Sequence, residues 1–437
     1  MEWWAVLIIG FTLLVLLLMS GIPVAFAFAG LNIVGLIWVT GGTQGLLLLT
    51  GSIVDSVANF RFIAAPMFFL MGAVLYRSGA FGLIIDAVDK WIGKVRARLL
   101  YVTMGSGTIL ATLSGAGIAD TALLGSTLYP EMEKRGYSPR LALGTIFNSG
   151  LLAAIIPPSG LAVLTATLAQ IPVGKLLVAG FFPGLMMATT YVIFVFVRVR
   201  LNPSLAPIYD APPAPLKIKL YATAKLAPFS IVFFMVMGFI LLGITTPSEA
   251  AATGAIGAVV VALIYRRLSM HVLSDALRDA MRIAGMILMI ISGSIALSQT
   301  LALSGATQGF LNVLVDLDLS PTLLLLAMLG ALILLGLFLD QISMMMVAIP
   351  IFSPIIGPLG FDPIWFWMLF LVAISIGAET PPFGLVLFAL KGVIPTASIT
   401  EIYKAAIPFV VLDLISLGIL VAFPQIVLFL PNLALGT

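Results

Sequence analysis

Apolar runs long enough to cross a bilayer follow one another along almost the whole of this chain, and they constrain its fold more than any other feature. A spanning helix needs about 20 mostly apolar residues. Hydrophobic residues make up 61% of the 437, charged residues only 9%, and the mean hydropathy is +1.21. A soluble domain carries about 25% charged residues, so a water-facing surface of this size cannot be built. The expected fold class is an all-α polytopic membrane protein. Disordered, collagen-like and nucleic-acid-binding classes fall with the soluble one, since the basic balance rests on a net charge of +3. The chain has no Cys, which excludes disulfides, thiolate metal sites and Cys nucleophiles. A single His, His271, leaves no His-rich metal centre and few routes to a catalytic triad.

Full crossings are expected near 4–19, 24–40, 62–78, 176–197, 226–244, 248–265, 283–303 and 405–423. The first follows Met1-Glu2 with no basic leader and no small-residue cleavage site, so it is expected to be retained. Two longer stretches, 141–169 and 364–390, carry Pro157-Pro158 and Pro381-Pro382, so each is expected to be a broken helix. Two others, 99–130 and 321–356, are interrupted halfway by Ser114-Gly115-Ala116-Gly117 and Asp340-Gln341-Ile342-Ser343. Read as hairpins, with the N-terminus outside, they place all but Arg61 and Lys175 of the 21 basic residues on the inner face. The positive-inside rule favours that topology, which puts both termini outside.

The chain also repeats itself. Pro23 and Gly30 return as Pro247 and Gly254, an offset of 224; Pro130 returns as Pro354, and Pro157-Pro158 as Pro381-Pro382. Each half has an odd number of crossings, so the second copy is expected to lie upside down relative to the first. The expected division is a first repeat at 1–200, a Pro-rich cytoplasmic linker at 201–219 and a second repeat at 220–437. Amphipathic stretches at 80–95 and 304–318, and at 44–60 and 268–283, are expected to lie along the interface.

Irregular backbone at membrane depth is tolerated only where protein buries it or a cavity meets it. Four such places occur: the tips near 114–120 and 338–343, and the breaks near 153–159 and 377–383. Each tip is expected to face the break of its own half. Freed carbonyls with Ser or Thr hydroxyls suit a dehydrated monovalent cation, and opposed helix N-termini suit an anion. Charges at this depth are functional candidates. Asp120 and Asp340 either help hold cations or cap the returning helices, while Glu379, with Asp120, Ser159 and Ser343, is a candidate for the cargo cavity. Thr246-Pro247-Ser248-Glu249 reads as a capping box, and Asp413 has no identifiable partner. Two Asp at matching depths also admit an intramembrane aspartyl protease using Asp120 and Asp340, and a passive channel is a third reading.

Several blocks, in order, resemble the large permease subunit of TRAP (tripartite ATP-independent periplasmic) transporters. They are Ser114 to Ser126, Pro130 to Pro139, Ile155-Ile156-Pro157-Pro158-Ser159, Thr246 to Ala252 and Thr380-Pro381-Pro382-Phe383-Gly384. The resemblance implies a sodium-coupled symporter with an elevator mechanism, no enzyme activity and no cofactor beyond the coupling sodium ions. It implies import of an organic acid such as a dicarboxylate through a bacterial or archaeal inner membrane, with both termini periplasmic. Its partners would be a small four-helix membrane subunit and a periplasmic substrate-binding protein. By the same resemblance, sodium site 1 matches Ser114, Gly117, Ala153, Ile156 and Pro158. Sodium site 2 matches Asp340, Gln341, Gly377, Thr380 and Pro382. The chain departs from the family pattern at Ala153-Ala154, at Gln341 and at Glu379, which stands where an apolar residue is usual.

Overall fold

The computed structural model describes residues 2–79, 81–115, 117–208, 214–316, 319–382 and 384–435. Among them the secondary structure is helical, apart from one isolated bridge between Arg96 and Ile208. The first half comprises α1 (Trp3–Met19), α2 (Val24–Thr40), α3 (Gln44–Ala58), α4 (Ala64–Arg77) and α5 (Phe81–Trp91). A hairpin of α6 (Arg98–Ser114) and α7 (Gly117–Lys134) follows, then an interrupted helix, α8 (Pro139–Leu151) and α9 (Gly160–Leu168). The half closes with α10 (Val173–Ala179) and α11 (Phe181–Leu201), and α12 (Leu216–Ala224) belongs to the connection.

The second half starts with α13 (Ala227–Leu241), α14 (Pro247–Ile264), α15 (Met270–Leu303) and α16 (Ala306–Asp316). Its hairpin is α17 (Pro321–Gly336) and α18 (Gln341–Ile356), and its interrupted helix is α19 (Pro363–Glu379) and α20 (Leu385–Val393). It ends with α21 (Ile399–Ala422) and α22 (Gln425–Leu435). Helices α13, α18 and α19 begin 224 residues after α1, α7 and α8.

The helix starts are written locally. Pro139, Pro321 and Pro363 each occupy the first turn, where a missing N–H costs nothing. Asp362 caps α19 by accepting from the Trp365 amide at 3.0 Å. Thr246 and Glu249 form the expected capping box on α14, and Ser398 with Glu401 forms another on α21.

Four helical segments are by themselves long and apolar enough to cross a membrane: Val173–Leu201, Pro247–Ile264, Met270–Leu303 and Ile399–Ala422. The chain is a multi-pass membrane protein. Its helices pack in two groups: α4 lies against α14 and α15, α2 and α3 against α15, and α13 on α14. In the other, α8 packs against α6, α7 and α21, while α19 packs against α17, α18 and α21. The groups meet where α4 touches α6 and α9, and where α15 touches α18. Two helices are enclosed on every side: α8 is buried from Leu141 to Leu151 and α19 from Ile364 to Glu379. Burial on every face places both broken helices centrally.

Two expectations are corrected. The amphipathic stretch 268–283 and the crossing 283–303 form one 34-residue helix, α15. Its counterpart in the first half is split because Asn59 is extended (φ −82°, ψ 114°) and a 3-10 turn at Phe60–Ile63 separates α3 from α4. Beyond the expected last crossing, α21 ends at Ala422, the backbone of Phe423 (φ −126°, ψ 74°) leaves the helical region, and a further short helix, α22, starts at Gln425.

Candidate functional site

Each hairpin tip meets the break of its own half at backbone distance. Helix α6 ends at Ser114, and Gly115 turns the chain with a left-handed φ of 59°. The Ser114 side chain and Ala116 lie outside what the structure describes. A Cβ on Gly115 would stand 3.2 Å from the Gly160 amide nitrogen, and one on Gly117 would stand 2.7 Å from the Gly150 carbonyl oxygen. Only glycine leaves room for that approach.

The first break begins with a 3-10 turn at Leu152–Ala154, and the Pro-Pro bonds at the two breaks, Pro157-Pro158 and Pro381-Pro382, are cis. Proline has no N–H to give to the carbonyl four residues earlier, so Ala153 and Ala154 lose their helical donors. The Ser159 hydroxyl donates to the Ala154 carbonyl at 2.8 Å and accepts from the Ala162 amide at 3.2 Å, which caps α9. Ala153 and Ile156 are buried beside it.

In the second half, a Cβ on Gly336 would stand 2.3 Å from the Gly377 Cα, so α17 and α19 touch backbone to backbone. Asp340 caps α18: one carboxylate oxygen accepts from the Ile342 and Ser343 amides at 3.0 and 3.2 Å, and the other accepts from the Ser343 hydroxyl. The Gln341 amide donates to Ser375 Oγ at 3.3 Å, tying the tip to α19. Pro381 removes the helical donor of the Gly377 carbonyl, which accepts from the Thr380 amide at 3.2 Å. The Thr380 hydroxyl donates to the Ile376 carbonyl at 2.6 Å, and Tyr403 donates to the Pro382 carbonyl at 2.5 Å. The proposed ligands of each sodium site are thus drawn from one tip and the break beside it.

Asp120, Ser159, Ser343 and Glu379, the cargo-cavity candidates, are all buried. Asp120 lies in the first turn of α7. Glu379 enters a network that sequence reading missed. The Tyr191 hydroxyl donates to Asp413 Oδ1 at 2.5 Å. With its amide oriented to donate, Asn148 places Nδ2 3.2 Å from Glu379 Oε2 and 3.3 Å from Asp413 Oδ2. All four residues are at most 1% exposed. They come from α8, α11, α19 and α21, so the network joins the two broken helices. At the offset of 224, Glu379 falls on Ile155 and Asp413 on Thr189, so the repeat gave no hint of it. The available signal was an acid at membrane depth with no basic residue in its own span.

Residues 11–426 match the model of one family, described as "Tripartite ATP-independent periplasmic transporter, DctM component". The chain belongs to this family of transporter permeases. It is 30% identical to the C4-dicarboxylate TRAP transporter large permease protein DctM of Pseudomonas aeruginosa over 402 residues, covering 90% of this chain and 92% of that one. It is 28% identical to the ectoine TRAP transporter large permease protein TeaC of Halomonas elongata over 422 residues, covering 96% and 97%. The fold is similar to that of the YdaH transporter of Alcanivorax borkumensis, with a TM-score of 0.66 at 14% identity, over 92% of this chain and 98% of that one.

As a TRAP large permease the chain is a transport subunit and not an enzyme. The protease reading loses its support with that membership. The Asp340 carboxylate is also occupied as the cap of α18. Among the described residues, no group of three or more His, Cys, Asp or Glu could hold a metal ion.

Proposed function

We propose that this chain is the membrane permease subunit of a sodium-coupled importer of an organic acid. The observation that carries the reading is the paired arrangement of tip and break. Backbone at each break lies against the tip of the same half: Gly115 beside the Pro158 carbonyl, Gly117 beside the Gly150 carbonyl, and Gly336 beside the Gly377 carbonyl. Such carbonyls suit a dehydrated monovalent cation, and the N-termini of half-helices between them suit a carboxylate. The recurrence of helices at 224 supports two inverted repeats joined by the linker. The separation into two packed groups supports an elevator, in which the hairpins and broken helices slide past the group built on α4, α14 and α15.

A sodium-coupled mechanism suffices energetically, because one charge moving through 100 mV releases about 2.3 kcal/mol. Two sodium ions balance the charge of a dicarboxylate, so the sodium gradient alone drives that stoichiometry, and each further sodium ion adds the potential term. The partners are a small four-helix membrane subunit and a periplasmic binding protein that delivers the acid, in the inner membrane of a bacterium or archaeon. The carboxylate class follows the C4-dicarboxylate relative. The test is uptake of radiolabelled C4-dicarboxylate into proteoliposomes that contain this chain and the small subunit, with the binding protein outside. Uptake should collapse when external sodium is replaced by potassium; equal uptake in the two salts contradicts sodium coupling.

A further inference from the structure

A second site lies away from the tips and breaks, at the end of the bundle where α8 and α21 begin and α11 ends. There a cavity of about 490 Å³ opens between Arg140, Arg198 and Lys404. None of the three makes an ion pair within 4.0 Å among the described residues. The one carboxylate beside them, Glu401, accepts from the amide and hydroxyl of Ser398 at 3.0 Å as part of the α21 capping box. Three cations facing one engaged carboxylate leave the cavity strongly positive. Its floor is apolar, formed by Leu141, Phe194 and Phe409.

Depth in the membrane narrows the choice of ligand. Arg198 is in the last turn of the spanning segment Val173–Leu201, and Lys404 is in the first turns of the spanning helix α21. Charged ends of spanning helices lie at headgroup level. Next to the lining residues Arg198 and Pro408, α11 and α21 expose Phe196, Val197 and Ile407. The surroundings therefore combine a phosphate-depth cluster of cations with an apolar outer wall. Guanidinium groups bind phosphate oxygens in pairs, and an ammonium adds a point charge. Basic pockets between spanning helices take anionic headgroups.

We propose that Arg140, Arg198 and Lys404 form a binding site for the phosphate of an anionic phospholipid, seated between α8, α11 and α21. The bound lipid brackets the helix that carries Asn148 and the two that carry Tyr191 and Asp413.

The purified full chain in detergent is incubated with dioleoylphosphatidylglycerol or dioleoylphosphatidylcholine, and retained lipid is counted by native mass spectrometry. Phosphatidylglycerol should be retained in preference to phosphatidylcholine. Retention should fall about tenfold or more in Arg140→Gln/Arg198→Gln/Lys404→Gln and stay unchanged in the control Lys217→Gln/Lys219→Gln. Equal retention of the two lipids, or equal loss in both variants, overturns the assignment. Complete displacement by millimolar inorganic phosphate also overturns it, because the site would then take free phosphate and not the lipid. If the triple variant does not fold, Arg198→Gln alone carries the test, since its side chain is exposed at a helix end; unchanged retention in that variant contradicts the site.

Discussion

The Tyr191 hydroxyl on α11 donates a 2.5 Å hydrogen bond to Asp413 Oδ1 on α21, and both residues are buried. That bond anchors one end of a chain of contacts that runs through Asn148 to Glu379 and spans both broken helices. Buried carboxyls are costly unless every oxygen finds a partner. Removing one donor therefore costs more than an ordinary surface bond.

Tyr191→Phe deletes that donor with little change of shape. It should destabilise the folded chain by about 1–3 kcal/mol, read as a lowered midpoint of thermal unfolding in detergent. An unchanged midpoint would show that the hydroxyl contributes nothing.

Glu379 can be separated from its neighbours by two substitutions. Glu379→Gln keeps a polar group beside Asn148, whereas Glu379→Ala leaves a cavity and removes one of the two side chains that Asn148 bridges. The alanine variant should unfold at a clearly lower temperature than the glutamine variant. If both behave alike, the hydrogen bonds of this side chain are not what holds it.

The glycine contact between hairpin and broken helix makes a steric prediction. Gly336→Ala places a methyl 2.3 Å from the Gly377 Cα, so α17 and α19 must separate. Overpacking of this kind costs about 1–3 kcal/mol, and the separation should also move the Gln341 to Ser375 contact. The variant should show lower stability and a raised sodium requirement for uptake. Gly330→Ala on the same helix, which has open space around it, should be near neutral.

Much of this architecture was legible in the sequence because its signals are local. Twenty-residue apolar runs, Pro at helix starts, glycine-bearing tips and Pro-Pro breaks each act within a few residues. The 224-residue offset then ties them together. What was not legible depends on partners distant in the chain. Tyr191 and Asp413 lie 222 positions apart, and neither has a counterpart at the repeat position. The continuity of α15 escaped for a different reason. Nothing between 282 and 284 forces a break, and the change there from charged to apolar residues does not interrupt the helix. Asp340 shows a third limit: an acid after a tip serves a cap or a cation equally well on sequence grounds, and only its 3.0 and 3.2 Å amide contacts establish the capping role.

A hydroxyl test addresses the second break. The Thr380 hydroxyl donates to the Ile376 carbonyl at 2.6 Å and lies three residues after Gly377 in the proposed cation site. Thr380→Ala should raise the sodium concentration for half-maximal uptake severalfold while the chain remains folded, and Thr380→Ser should restore it. An unchanged sodium dependence removes Thr380 from the site.

The central claim is that sodium and an organic acid cross together through this subunit. Parallel counting of 22Na+ and a 14C-labelled C4-dicarboxylate in proteoliposomes with both partner proteins tests it directly. The two labels should enter together, with more than one sodium per acid, and neither should enter at that rate without the other. Accumulation of the acid with no accompanying sodium would contradict the account.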